Sequence, residues 1–172
     1  MRVDCYVDAD FAGLFGVEDV QDPVCVKSRT GYVLTIADCP LMWVSKLQSE
    51  IALSTQHSEY IALSTSCRDL LPVKDTIHEL LTILDGTKLG LTYTTKSTCF
   101  EDNAACIALV TLKKITPANR HIASKYHWFR EHVRIGTIEV EKIESDKQLA
   151  DIFTKNLTPV KFTAARQLLC GW

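Results

Sequence analysis

The chain has 172 residues, 47% of them apolar and 23% charged, with a formal net charge of −2. That is the make-up of one packed domain, and it excludes a disordered tail, a collagen-like fibre and a coiled-coil rod. No window approaches 18 consecutive apolar residues, which excludes a membrane-spanning helix, and acids stand where a secretion signal needs an apolar run, so an intracellular protein is expected. The seven cysteines (Cys5, Cys25, Cys39, Cys67, Cys99, Cys106 and Cys170) are odd in number, with no CxxC pair, and read as reduced thiols, several of them small core residues.

Residues 5–11 (CYVDADF) predict a strand on which Asp8 and Asp10, two apart, share one side. A loop over 13–26 holds Gly16, Asp22 and Pro23. Strands are predicted at 30–36 (TGYVLTI) and 41–47 (LMWVSKL), and the short turn at Asp38, Cys39 and Pro40 makes them an antiparallel hairpin. Trp43 reads as core. From Ser54 the apolar period becomes helical, with Ser54 or Thr55 as N-cap, and the stripe continues to Leu84. Pro72 is expected to kink or split this helix, and Asp85-Gly86 to end it. Residues 89–100 (LGLTYTTKSTCF) predict a fourth strand ending in Glu101, Asp102 and Asn103, followed by a short helix over 104–110. After a loop at 115–119, residues 122–134 (IASKYHWFREHVR) predict a basic amphipathic helix and 137–143 (TIEVEKI) a fifth strand. A last helical region starts at 147–155 (KQLADIFTK) and is interrupted by Pro159 before 161–169. This order predicts an α/β protein, a mixed sheet with helices on both faces.

Charge is unevenly spread. Between Lys113 and Arg134 six Lys/Arg stand against one acid, Glu131, and His121, His127 and His132 fall in the same stretch. Two readings stay open: a face that binds a polyanion, or a solvated helix surface. Tyr126, Trp128 and Phe129 interleave with the basic residues at helical spacing and read as core, and the three histidines as packing or basic-face residues.

Four acids occupy informative places. Asp8 lies inside the first strand among apolar neighbours, Glu59 in the first turns of the long helix, Asp102 at the end of the fourth strand, and Asp151 among Leu149, Ala150, Ile152 and Phe153. Buried carboxylates are costly unless paired with a cation, and converging acids are what a hard divalent ion requires. Spacing alone leaves open whether they converge, because a strand-end Asp is also a common cap or turn former. Glu50 and Glu101 read as surface acids, and Asp10 either tunes the site or is a solvated strand-end acid.

YVDADFAG, SRTGYVLTIADCPLMWVSKLQSEIALSTQHSEYIALS, CFEDNAACIAL, NRHIASKYHWFRE and QLADIFTKNLTP follow one another in that order. Together, over about residues 5–169, they resemble the ribonuclease H domain that ends copia-type LTR-retrotransposon polyproteins. The resemblance implies a ribonuclease H-like fold, a five-stranded mixed sheet with the first three strands antiparallel. It implies a single domain over 1–172, with a core of about 3–157 and a C-terminal tail or helix at 158–172. It implies Mg²⁺-dependent endonucleolytic hydrolysis of the RNA strand of RNA–DNA hybrids. Asp8, Glu59, Asp102 and Asp151 would be both catalytic residues and ligands of two Mg²⁺, with Mn²⁺ as a possible substitute and Asp8 touching both ions. For nucleic-acid contacts, Ser28 and Arg29 match a stretch that touches phosphate or shapes a turn. Asn103 either contacts a 2′-hydroxyl or caps a helix, and Arg120, Lys125 and Arg130 would meet the DNA backbone. The implied partners are the hybrid and an upstream reverse transcriptase polymerase domain, with no membrane, in the cytoplasm, a virus-like particle or the nucleus.

Three departures from the family pattern stand out. His57 replaces an acid two residues before Glu59, Ala123 replaces an acid in NRHIAS, and residues 144–148 contain no histidine. None removes a metal ligand, but they fit a decaying copy, and the start at a Met seven residues before Asp8 resembles an excised polyprotein end. The alternative reading is therefore a catalytically inactive nucleic-acid-binding remnant. A related exonuclease is a third reading, weakened because Asp8-Ala9-Asp10 stands where such enzymes carry D-x-E.

Overall fold

Runs rich in Val, Tyr, Thr and Cys build the sheet. The computed structural model describes all residues except 1, 18–20, 23, 86, 87, 89, 92, 95, 113, 115, 116, 118, 119 and 172. Strands β1 (Val3–Asp10), β2 (Arg29–Ile36) and β3 (Cys39–Leu47) are antiparallel neighbours, while β4 (Ser97–Glu101) lies parallel to β1 and β5 (Ile138–Lys142) parallel to β4. The order β3-β2-β1-β4-β5 makes β1 central. This is the mixed five-stranded sheet with antiparallel first strands that the sequence implies.

The long helix α1 (Thr55–Ile83) starts at Ser54, whose hydroxyl accepts from the His57 N–H at 3.1 Å. Its buried residues Tyr60, Ile61, Leu63, Cys67 and Leu70 join Cys5, Val7, Tyr32 and Leu34 in the core. Pro72 neither splits nor ends α1. Pro72 is exposed, and so is Arg68, the residue whose carbonyl it deprives of a donor, so the break in the hydrogen-bond ladder falls on the outer side of the helix.

Alternation along β2 shows what covers the other face. The Tyr32 hydroxyl donates to Asp69 of α1, whereas a side chain on neighbouring Gly31 would meet Thr154, Phe153 and the Ala150 carbonyl. The 3-10 helix Leu149–Phe153 therefore packs opposite α1, followed by α4 (Pro159–Cys170). Pro159, expected to interrupt this region, instead opens α4, because a missing N–H costs nothing in a helix's first turn. Helices α2 (Ala104–Thr111) and α3 (Arg130–Arg134) complete the fold. Cys5, Cys25, Cys67, Cys99 and Cys106 are buried thiols, and Cys39 and Cys170 are exposed ones. Among the described residues no helix is long and apolar enough to cross a membrane.

Four local expectations are corrected. Among the described residues the fourth strand covers 97–101, which pairs with β5 along its length and with β1 at Cys99 and Phe100, and the described residues of 90–96 are not strand. Leu89, Thr92 and Thr95 of that expected strand, Gly86, Pro23 and most of the loop at 115–119 lie outside the described residues. The helix expected over 122–134 is a 3-10 turn, Ser124–Tyr126, followed by the short α3. Ring contacts override its period: the Tyr60 hydroxyl pairs with His127 Nδ1 at 2.8 Å, and Trp128 Nε1 donates to the Ser64 hydroxyl at 3.1 Å. The segment 147–155 forms 3-10 turns, Ser145–Lys147 and Leu149–Phe153, on either side of a buried Gln148. Trp43 is 62% exposed because β3 is an edge strand, with Leu41 beside it also exposed.

Candidate metal centre

β1 and β4 run parallel, so their C-terminal ends open on the same edge of the sheet, the usual place for a site in an α/β fold. Asp8 sits near that end of β1 with no exposure, Asp102 directly follows β4, and Glu59 projects from the first turns of α1. One carboxylate oxygen from each of Asp8, Glu59 and Asp102 lies within 4.8 Å of the others. Among the described residues Glu59 Oε2 is buried with no hydrogen-bond partner, and an open recess of about 480 Å³ lies beside the cluster. Hard oxygen donors, one of them orphaned, are a donor set that fits a divalent cation such as Mg²⁺.

Asp151 is not one of that converging group: it comes from the other face of the sheet and shares with Asp8 a side chain that the sequence reading did not single out. Lys155 Nζ lies 2.8 Å from Asp8 Oδ1 and 2.8 Å from Asp151 Oδ1. The Thr154 hydroxyl donates to Asp8 Oδ2. Gln148 Nε2 donates to Val7 O at 2.9 Å and Phe100 O at 3.3 Å, which pins this segment across β1 and β4. The available signal was the i,i+4 spacing of Asp151 and Lys155 in DIFTK.

Glu101, expected at the surface, is fully buried behind Asp102. Its Oε1 accepts from the Asn103 N–H at 3.0 Å. Burial pushes the Asp8 carboxyl above its ordinary range, and Lys155 and Thr154 pull it back. Burial, then the charges of Glu101, Asp8 and Asp102, push Glu59 far higher, and burial likewise raises Glu101 against the pull of Asn103. A carboxyl raised by folding holds its proton in the folded chain above about pH 4.3, where the unfolded chain has lost it. Free of metal, the folded state therefore binds more protons, and its stability falls as pH rises from about 4.3 toward the raised values. Glu101→Gln is expected to flatten that fall. Urea midpoints in EDTA between pH 5 and pH 8 check it, and an unchanged slope would remove Glu101 from this account.

The remaining candidates divide. Asn103 Oδ1 accepts from the N–H groups of Ala105 and Cys106 at 3.0 Å each, so Asn103 caps α2. Asn103→Ala is expected to cost about 1 kcal/mol in urea denaturation, with Asn103→Ser recovering most of it. Ser28 is fully buried and its hydroxyl accepts from the Ala12 N–H, 16 positions away just past β1. Arg29 Nη1 donates to the Ser45 hydroxyl at 3.4 Å, and Asp10 is half-buried, its carboxyl raised by burial and by Asp8. Arg120 is exposed, and Lys125 pairs with Glu50 and lies over the Tyr126 ring. Arg130 Nε donates to Val110 O and joins Lys114 and Arg134 around an open cavity of about 890 Å³. Tyr126 and Phe129 are core.

The chain is 32% identical over 164 residues to the retrovirus-related Pol polyprotein from transposon TNT 1-94 of Nicotiana tabacum, covering 95% of this chain and 11% of that protein. It is 30% identical over 162 residues to the Pol polyprotein from transposon RE2 of Arabidopsis thaliana, covering 94% and 10%. It thus spans about a tenth of the length of these relatives. No family model matches the chain. Among solved structures it is similar to LC11-RNase H1 isolated from compost, with a TM-score of 0.58, 16% identity and coverage of 89% and 92%. It is also similar to the N-terminal RNase H domain of a Mycobacterium tuberculosis protein, with a TM-score of 0.53, 17% identity and coverage of 96% of both chains. A structure of LC11-RNase H1 in complex with an RNA/DNA hybrid gives a TM-score of 0.52 at 15% identity over 89% and 94%. At such identities the structural likeness is one of fold, and the sequence relatives supply the lineage. The chain belongs to the ribonuclease H-fold part of copia-type retrotransposon Pol polyproteins.

Proposed function

We propose that this domain hydrolyses the RNA strand of RNA–DNA hybrids internally, using Mg²⁺ held by Asp8, Glu59, Asp102 and Asp151. The observation that carries this reading is the meeting of Asp8, Glu59 and Asp102 within 4.8 Å, with Asp151 tied in through Lys155, on a ribonuclease H fold. Bound there, Mg²⁺ supplies Lewis acidity, which acidifies water and offsets charge at the phosphodiester. The chain's own residues do the rest. Asp8 and Glu59, almost without exposure, present carboxylate oxygens where few waters compete for them. The Ser145 hydroxyl donates to Asp102 Oδ2 at 2.8 Å and fixes that carboxylate at the rim. Thr154 fixes the rotation of Asp8. Arg120, Arg130 and Lys114 supply positive charge for backbone phosphates, a contribution that weakens with salt. Because the relatives are about ten times longer, hybrid affinity is expected to rise when the neighbouring polymerase part of such a polyprotein is present.

The test is a hybrid labelled within its RNA strand, incubated with and without Mg²⁺. Internal cuts leaving 5′-phosphates, absent in EDTA, are the expected result. Hybrid binding without cleavage in either Mg²⁺ or Mn²⁺ would favour the inactive remnant, whose supporting observations are His57 and Ala123 at positions where the family pattern carries acids. Cuts from free ends alone would favour an exonuclease.

A further inference from the structure

Asp8 has two claims on it. It belongs to the carboxylate cluster with Glu59 and Asp102, and it also holds the Lys155 ammonium, which contacts Asp151 as well. Both Asp8 oxygens are engaged, Oδ2 by the Thr154 hydroxyl and Oδ1 by Lys155. The hydroxyl can stay when a cation binds, since each carboxylate oxygen has a second lone pair. The ammonium cannot stay so easily. A monovalent and a divalent positive charge on one buried carboxylate repel each other through a medium that screens poorly.

Lys155 also has somewhere to go. Its side chain is 38% exposed while that of Asp8 is not exposed at all, and it borders the open recess that Asp10, Glu59 and Asp102 line. Its flexible four-carbon stem leaves the fold undisturbed when the head group moves. Burial opposes the charge of Lys155, yet Asp8 and Asp151 more than offset it and keep the ammonium charged.

We propose that Lys155 is the internal counter-cation of this centre. It neutralises Asp8 and Asp151 until a divalent cation is taken up, then gives up both carboxylates to water, so that loading is an exchange of one cation for another. Lys155 therefore sets the cation concentration at which the centre fills. The inference rests on the divalent-cation reading above, and it assigns Lys155 as a positioning residue. A merely structural ion pair makes the opposite prediction, because its loss would loosen the Asp151 segment and weaken cation binding.

The test is Mn²⁺ titration, followed by the electron paramagnetic resonance signal of free Mn²⁺, on the full chain at fixed ionic strength. Lys155→Met is expected to bind Mn²⁺ on the order of tenfold more tightly than the unaltered protein, about 1.4 kcal/mol, with Lys155→Arg close to the unaltered value. In EDTA, Lys155→Met is expected to melt at lower temperature and to regain more on adding Mn²⁺. A Met variant of native circular dichroism that binds Mn²⁺ equally or less tightly overturns the proposal while leaving the metal reading intact. No Mn²⁺ binding by any of the proteins overturns both. If the Met variant does not fold, the side-chain resonances of Lys155 in the unaltered protein decide. They should move toward those of a solvated lysine as Mg²⁺ is added, and resonances that stay put while Mg²⁺ binds overturn the proposal.

Discussion

Asp8→Asn is expected to fold normally and to lose hybrid cleavage by more than about 100-fold. The size follows from its place in the site. Groups that merely orient a metal's ligands cost about 10–100-fold when removed, and Asp8 is the proposed ligand itself. Folding should survive because asparagine keeps the shape and can still accept from the Thr154 hydroxyl. Burial already disfavours the ionised form of Asp8, so a neutral side chain relieves that cost. Lys155 loses one partner, but it is 38% exposed, keeps Asp151 and can rehydrate. The separation of the two effects is the informative part: a melting temperature within a few degrees of the unaltered protein in EDTA, with Mn²⁺ binding and Mg²⁺-dependent cleavage both lost. Undiminished cleavage would end the assignment of Asp8, and with it the reading of the cluster.

The acids were legible in the sequence one at a time. Period 2 placed Asp8 in a strand, period 3.6 placed Glu59 in a helix, and the end of a β-rich run placed Asp102. Their meeting was not legible from spacing, because it depends on β1 and β4 being parallel neighbours, a pairing that the sheet order shows. Thr154 and Lys155 escaped notice because they reach Asp8 from 146 and 147 positions away, across the face opposite α1. Glu101 was misread because alternation distinguishes two faces only when one of them is wet, and β4 is covered on both. Trp43 shows the converse, since apolar character says nothing about an edge strand. The broken helix after Ile122 fits its helical period well, and only contacts from Tyr60 and Ser64 on α1 decide against it.

Gly31→Ala is expected to destabilise the protein by about 1–3 kcal/mol and to weaken Mn²⁺ binding, although the same change in an open strand would be favourable. Gly31 stands opposite Asp8 on β1 and Ser45 on β3. A β-carbon there would lie 2.5 Å from Thr154 Cγ2, 2.9 Å from Phe153 Cβ and 3.2 Å from the Ala150 carbonyl oxygen. None of these is the far end of a flexible side chain: Thr154 is β-branched and tied to Asp8, and the other two are at or next to the backbone. The segment carrying Asp151, Thr154 and Lys155 would have to lift off the sheet, and all three groups around Asp8 would move together. Urea denaturation and Mn²⁺ titration measure the two effects. Thr154→Ser removes the methyl group that makes the closest clash and keeps the hydroxyl that holds Asp8. In the double variant it should therefore restore part of both losses, a positive coupling expected only of residues in contact. Additive losses would mean that Gly31 acts through the strand backbone, and that the bare position opposite Asp8 has no part in seating the fourth carboxylate.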